Sequence, residues 1–256
     1  MQRCYIVTGA SRGLGAAICE QLVELGHKVL ATARSGSDLE KLWGDKPEVV
    51  VYPCDLLQQD APKKIVEKAL AEFGRLDGLV NNAGMIQPIS SLKDADHAEW
   101  ARAISLNLTA PSLLMAAALE PLAESGGAVV NISTGAAVKV VEGWSAYCAS
   151  KAGFLHLTQV AAQENPKVRF YSLRPGVIDT EMQREIRDSK GMTESDLAKF
   201  QGLKADGQLE PPEVPARSAV WLLVEGPQER SGEFVQYTDE QVKSGAERLF
   251  ATVRAH

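Results

Sequence analysis

The apolar run Cys4-Tyr5-Ile6-Val7 passes without a linker into Thr8-Gly9-Ala10-Ser11-Arg12-Gly13-Leu14-Gly15, after which 16–25 takes up helical periodicity. A strand that turns at once into a helix needs glycine where the chain bends sharply and where backbone N–H groups must come close to a ligand. The helix N-terminus that follows is a natural seat for a pyrophosphate. A glycine cluster alone is explained by a structural turn. With a strand before it and a helix behind it, the spacing Gly-x-x-x-Gly-x-Gly predicts a dinucleotide on Gly9, Ser11, Arg12, Gly13, Leu14 and Gly15.

The rest of the chain repeats this rhythm. Short runs rich in β-branched residues at 4–8, 28–32, 49–52, 78–81, 128–132, 169–173 and 233–237 read as strands, and most segments between them read as amphipathic helices. Such alternation predicts an α/β fold of the Rossmann type, a doubly wound, seven-stranded parallel sheet with helices on both faces. No repeat or Pro/Gly-rich linker divides the 256 residues, so one domain is expected. The exception to the rhythm is 180–209, polar and charged but carrying Met182, Ile186, Met192, Leu197, Phe200 and Leu203. An excursion of this length is more often a lid than a connector, and Thr193 with Asp196 three residues on marks a helix start within it.

A net charge of -6 gives no basic footprint for nucleic acid or an anionic membrane surface, which points to a small-molecule partner. Cys4, Cys19, Cys54 and Cys148 lack metal-ligand spacing and the four histidines do not cluster with them, so no metal is expected and reduced thiols fit. The first strand starts almost at Met1, and no apolar run approaches the ~20 residues of a membrane span, so a soluble, cytoplasmic protein is expected.

The second strand leads to Arg34, where a site for NAD usually carries a carboxylate. A guanidinium there, with Arg12 in the glycine loop, suits a ribose 2′-phosphate and favours NADP(H), because arginine forms paired, charge-assisted bonds to phosphate. Asp55 and the group Asn81-Asn82-Ala83-Gly84 close the third and fourth strands, at the sheet edge where adenine and ribose would lie. A helix cap would equally explain Asp55, and turn formation the two asparagines. Asn107 is a polar residue in the apolar stretch 101–118, with a satisfied core amide as the alternative. Tyr147 and Lys151 stand four apart at the start of a long helical pattern, hence on one face, where an ammonium would lower the phenol pKa and make it a usable acid. One such pair can arise by chance.

Together these motifs, with Pro175-Gly176-Val177-Ile178-Asp179-Thr180, stand in the order and spacing of single-domain short-chain dehydrogenases/reductases, which the chain resembles over nearly its whole length. The resemblance implies a catalytic set of Asn107, a hydroxyl residue, Tyr147 and Lys151. It also implies that Lys151 binds the nicotinamide ribose, that Asn107 helps hold a water, and that Pro175, Ile178 and Thr180 line the nicotinamide side. The family's usual serine is here Thr134, preceded by Ser133; threonine keeps the hydroxyl, so Thr134 takes the role with Ser133 in reserve. Gly143-Trp144-x-x-Tyr147 and 179–183 resemble the benzil reductase and sepiapterin reductase-like subgroup, which implies NADPH-dependent reduction of one carbonyl of a 1,2-dicarbonyl such as benzil. Trp144 is either an aromatic wall of that site or a core residue. Alternatives are an NADP(H)-sensing regulator without turnover, or an alcohol dehydrogenase working oxidatively. A homodimer through the helices holding Asn107 and Tyr147 is implied too. Cys148 reads as a small buried residue, and 238–256 as a surface helix.

Overall fold

In the computed structural model, residues 2–253 are described. Seven strands form one parallel sheet: β1 (Cys4–Thr8), β2 (Lys28–Ala33), β3 (Val49–Pro53), β4 (Gly78–Asn81), β5 (Ala128–Ile132), β6 (Arg169–Arg174) and β7 (Phe234–Gln236). They lie in the order β3-β2-β1-β4-β5-β6-β7, so the winding reverses between β1 and β4 and opens a crevice above their carboxyl ends. The strands read from sequence match within one or two residues at each end, because each carries a short apolar run and the inner five are buried almost throughout.

Alternation along the strands builds two cores. Tyr5, Val7, Val29, Ala31, Val130, Tyr171 and Leu173 point to one face, under α1 (Gly13–Glu24), α9 (Glu213–Glu225) and α10 (Glu240–Val253). Ile6, Leu30, Leu79, Val129 and Phe170 point to the other, under α3 (Ala61–Phe73), α5 (Ala110–Ser125) and α6 (Ser145–Glu164). The helix α2 (Gly36–Trp43) seats Leu39 and Trp43 on the first core. The predicted tail helix exists as α10 and buries Val242, Ala246 and Phe250; residues 254–256 lie outside the described residues.

The stretch read as one helix over 101–118 is a longer rod. The helix α4 (His97–Ile104) continues through a π-helical turn, Ser105–Thr109, into α5. By length and composition His97–Ser125 could cross a membrane, contrary to the expectation that nothing in the chain could. Here Leu114, Met115, Ala118 and Leu122 are buried in the second core, the environment of a core helix.

His27, in the turn before β2, is 9% exposed and packs against Tyr5 with ring centroids 5.4 Å apart. Its Nδ1 accepts a hydrogen bond from the Arg3 backbone N–H at 3.4 Å, which requires an unprotonated ring nitrogen. Burial first, and the Arg3 charge second, push its pKa down to about 4. Below pH 6.5 the unfolded chain therefore takes up a proton that the folded chain refuses, and stability falls as pH drops towards 4. Between pH 7 and pH 5 the loss assignable to this residue is about 1 to 2 kcal/mol, allowing for partial solvent contact. Urea midpoints at the two pH values measure it; His27→Gln shrinks the difference, and an unchanged difference assigns the titration elsewhere.

Candidate active site

The crevice at the β1/β4 reversal is bolted shut at its base. Thr8 Oγ1 donates to the Val80 carbonyl at 3.2 Å and accepts from the backbone N–H groups of Asn82 and Ala83 at 3.0 and 3.1 Å. Asn82 Nδ2 donates back to the carbonyls of Thr8 (2.9 Å) and Gly9 (3.3 Å). Asn82 thus fixes the glycine loop from the side. Asn81 is a correction: it points away from the cleft, buried, and donates to Asn131 at 2.8 Å in the core. In the loop itself, Gly9 has φ +66°, and a Cβ on Gly15 would lie 2.3 Å from the Gly9 carbonyl oxygen. No side chain caps the start of α1, so its first N–H groups face the cleft without an internal partner.

The cleft above has a volume of about 1240 Å³ and gathers the sequence-derived candidates. Gly9, Ser11, Arg12, Gly13, Leu14, Arg34, Asp55, Asn82, Ala83, Gly84, Thr134, Tyr147, Lys151, Pro175, Ile178 and Thr180 all line it; Gly15 and Asn107 stand behind its wall. Asp55 is no helix cap: its Oδ1 accepts from the Leu57 N–H at 3.0 Å in a tight turn, and α3 starts six residues later. Asn107 lies in the π-helical turn, 1% exposed, with Oδ1 accepting from Met85 N–H (2.9 Å) and Nδ2 donating to Met85 O (2.8 Å). Its amide is satisfied, and it pins the loop segment that leaves β4 along the cleft.

At the chemical centre, α6 presents Tyr147 and Lys151 on one face, both buried. Lys151 Nζ donates to the Ile132 carbonyl at 2.9 Å and lies 5.9 Å from the Tyr147 ring centroid. The sequence expectation that the ammonium lowers the phenol pKa is not met. Burial pushes Tyr147 up to about 12, with only a hydrogen-bonding interaction with Thr134 opposing it, and burial pushes Lys151 down to about 8. Desolvation is the largest cause and Lys151 is not among the groups that shift the phenol, so it stays protonated at neutral pH. Thr134 is half-buried beside it, its Oγ1 accepting from Ala136 N–H at 3.3 Å. Ser133 Oγ is buried without a partner among the described residues.

An apolar chamber surrounds the Tyr147 hydroxyl. Trp144 meets the Tyr147 ring edge-on (5.7 Å, 88°) and stacks on Phe200 (5.3 Å, 26°). Met182 Sδ lies 4.0 Å from the Tyr147 hydroxyl. The insert 180–209 supplies this cover as α7 (Glu181–Arg187) and α8 (Glu194–Ala205), the latter capped by Thr193 Oγ1 on Asp196 N–H at 3.2 Å as predicted. Met182, Ile186, Met192, Phe200 and Leu203 join Trp144 and Tyr147 in one cluster; Leu197, expected with them, does not. The base of the insert is tied where Asp179 N–H donates to Glu210 O (2.9 Å) and Glu210 N–H to Val177 O (2.9 Å). Cys148 is half-buried at the edge of this cluster, more accessible than the expected buried thiol because it sits on the outer side of the first turn of α6.

The residues fit a nicotinamide dinucleotide. Arg12 and Arg34 are exposed at the cleft mouth and make no ion pair among the described residues, while Thr32 Oγ1, at the end of β2, is buried and unpartnered. Thr32 and Ser35, both in the cleft wall, escaped sequence reasoning because a strand threonine and a cap serine carry no motif. Ser35 caps α2 by accepting from Asp38 N–H at 3.3 Å, which brings a carboxylate to the same rim. No group of three or more His, Cys, Asp or Glu is placed to hold a metal among the described residues.

Comparison with known proteins agrees with this architecture. The family profile for short chain dehydrogenase matches residues 3–191. A benzil reductase ((S)-benzoin forming) of Saccharomyces cerevisiae is 34% identical over 94% of this chain and 98% of its own. A sepiapterin reductase of Mus musculus is 36% identical over 85% of this chain and 90% of its own. Among solved structures, a short-chain dehydrogenase/reductase of Saccharomyces cerevisiae superposes with a TM-score of 0.91 at 30% identity, covering 94% of this chain and 98% of that one.

Proposed function

The chain belongs to the short-chain dehydrogenase family of nicotinamide-dependent oxidoreductases, and on that footing we propose that it reduces one carbonyl of a 1,2-dicarbonyl such as benzil to the hydroxy ketone, using NADPH. The observation that carries this reading is the chamber: a protonated phenol and a threonine hydroxyl open into a pocket walled by Trp144, Phe200, Met182 and Ile186, apolar and aromatic enough for an aryl ketone. Arg12 and Arg34, without an ion pair among the described residues, support the phosphorylated cofactor.

Bound NADPH supplies the hydride. The chain's own residues do the rest. Thr134 and Tyr147 donate hydrogen bonds to the carbonyl oxygen as negative charge grows on it, and Tyr147 gives up its proton. The pKa of about 12 keeps that proton in place until the oxygen becomes basic enough to take it. Lys151, held on the Ile132 carbonyl, then has its charge beside the nascent phenolate. Asn107 is a positioning residue, acting through Met85. The insert 180–209 serves as the lid that excludes water from the chamber. Exposed Leu113 and Val160, on α5 and α6, support pairing of two copies through these helices.

The test follows loss of nicotinamide absorbance with benzil, an aliphatic 1,2-diketone and simple ketones, NADPH against NADH. Turnover of benzil to a single hydroxy ketone, at least ~10-fold more efficient with NADPH, is expected from one charge-assisted phosphate contact alone. NADPH binding with no turnover of any carbonyl would replace the reductase by a redox sensor.

A further inference from the structure

The tip of the insert meets the rest of the chain at a seat that has room only for glycine. A Cβ on Gly191, in the link between α7 and α8, would lie 1.9 Å from the Ile89 carbonyl oxygen and 3.0 Å from the Ser90 Cα. On the other side, a Cβ on Gly143 would lie 2.3 Å from the Gly191 carbonyl oxygen. Ser90 and Gly143 are themselves joined, the Ser90 N–H donating to the Gly143 carbonyl at 2.9 Å. Among the described residues, no hydrogen bond or ion pair ties 188–193 to either of them. Ser90 Oγ and, two residues before Gly191, Ser189 Oγ are buried without a partner among the described residues. Close contact alone therefore shuts the seat, and orphaned hydroxyls beside it weigh against closure. The base of the insert is held differently: besides the backbone bonds of Glu210, Lys204 Nζ lies 2.6 Å from the Asp179 carboxylate.

The seat stands between two cavities. On one side is the catalytic cleft, with Trp144, the residue after Gly143, in its wall. On the other is an open groove of about 1030 Å³, lined by Ser90, Gly143 and Gly191 and by the exposed side chains of Leu92, Val138 and Val140. Ala136, Lys139 and Val141 line both. Resting on the lid reading above, we propose that the tip of the insert is a gate between groove and cleft, and that Gly191 is the positioning residue that lets it shut. The substrate crosses when the tip lifts off Ile89 and Gly143, with the base at Asp179 and Glu210 still tied. The exposed apolar side chains of the groove suit the rings of an aryl carbonyl compound on its way in. Gly143 has φ +80°, where any side chain would strain the backbone as well; Gly191 lies outside the left-handed region, so Gly191→Ala disturbs the contact alone.

The experiment compares the wild type, Gly191→Ala and Gly202→Ala, the last a glycine of α8 with nothing within 4 Å of a Cβ. Benzil kcat and KM, NADPH affinity, melting temperature and the rate of tryptic cleavage after Arg187 and Lys190 are measured for each. A methyl group forced into a closed contact disfavours closure ~10- to 100-fold, so Gly191→Ala is expected to raise KM for benzil ~10-fold or more, with kcat within ~3-fold. Cleavage at the tip speeds up ~10-fold or more, at unchanged melting temperature and NADPH affinity. Gly202→Ala behaves as the wild type. Wild-type kinetics and cleavage in Gly191→Ala overturn the gate; so do faster cleavage throughout the chain and a lower melting temperature, which mean general destabilisation. If Gly191→Ala does not fold, the wild type decides: tip cleavage much faster than global unfolding supports the gate, and cleavage only at the rate of global unfolding overturns it. A wild type inert towards benzil refutes the dicarbonyl reading instead, and the cleavage rates then decide the gate by themselves.

Discussion

Tyr147→Phe lowers turnover of carbonyl substrate at least ~100-fold, the lower end of what general acid catalysis contributes, and leaves NADPH affinity within about twofold. The substitution removes one oxygen from a ring that is buried against Trp144 and beside Lys151, so packing in the chamber is preserved. In the mechanism proposed above, what is lost would act chiefly in the transition state: one of two donors to the developing oxyanion, and the proton itself. The fall should therefore be in kcat and kcat/KM together, with little change in benzil binding to the enzyme in complex with oxidised cofactor. A fall in NADPH affinity of the same size as the fall in turnover would mean that the site had collapsed. Retention of a tenth or more of the activity would move the acid role to Thr134 or to solvent.

Much of that centre can be read from the chain alone, for a reason that depends on distance along it. The i and i+4 spacing of Tyr147 and Lys151 is a local fact, as are the strand ends and the turn at Gly9, and all reappear in space. The strands are legible because the inner five are buried along almost their whole length and need no alternation of polarity, while the edge strands β3 and β7 keep short apolar runs. Burial around the phenol is a different quantity. It is assembled from Trp144, from Phe200 and Met182 on the insert, and from Ile86 after β4, elements far apart in sequence. The pKa direction of Tyr147 depends on that sum, so a rule based on its neighbour four residues away gives the wrong sign.

The asparagines make the same point. Asn81 and Asn82 look alike in sequence, but strand alternation sends the first inward to Asn131 and leaves the second at the strand end, where it holds the glycine loop. For Asn107, the amide is hydrogen-bonded, as the alternative reading of its apolar setting had it; the π-helical turn that carries it leaves no trace in hydrophobic periodicity. Orphaned donors such as Trp144 Nε1 are invisible to sequence altogether, since only the folded surroundings reveal that a partner is missing.

On the NADPH reading proposed above, Arg34→Asp is expected to reverse cofactor preference, with NADPH binding weakened at least ~100-fold and the ratio of NADPH to NADH efficiency moved by ~1000-fold or more. On that reading, the guanidinium would contribute up to two charge-assisted bonds to a 2′-phosphate, and a carboxylate in its place would both remove them and repel the anion. The same carboxylate accepts from the ribose hydroxyls of NADH, so the loss on one cofactor accompanies a gain on the other. Arg12→Ala should weaken NADPH ~10-fold and leave NADH nearly unaffected, because it retains one of the two cations. Asp38, exposed at the start of α2 on the same rim, already opposes a phosphate there. For that reason both arginines are needed, and each single loss should be felt more than at a neutral rim. Since the groups are exposed, the NADPH preference should also shrink as ionic strength rises past the point where the Debye length falls below ~10 Å. Nicotinamide fluorescence titrations of the two cofactors read these affinities without turnover. Equal weakening of both cofactors in Arg34→Asp would show that Arg34 supports the β2 end structurally and would remove the basis for NADP(H) at this site.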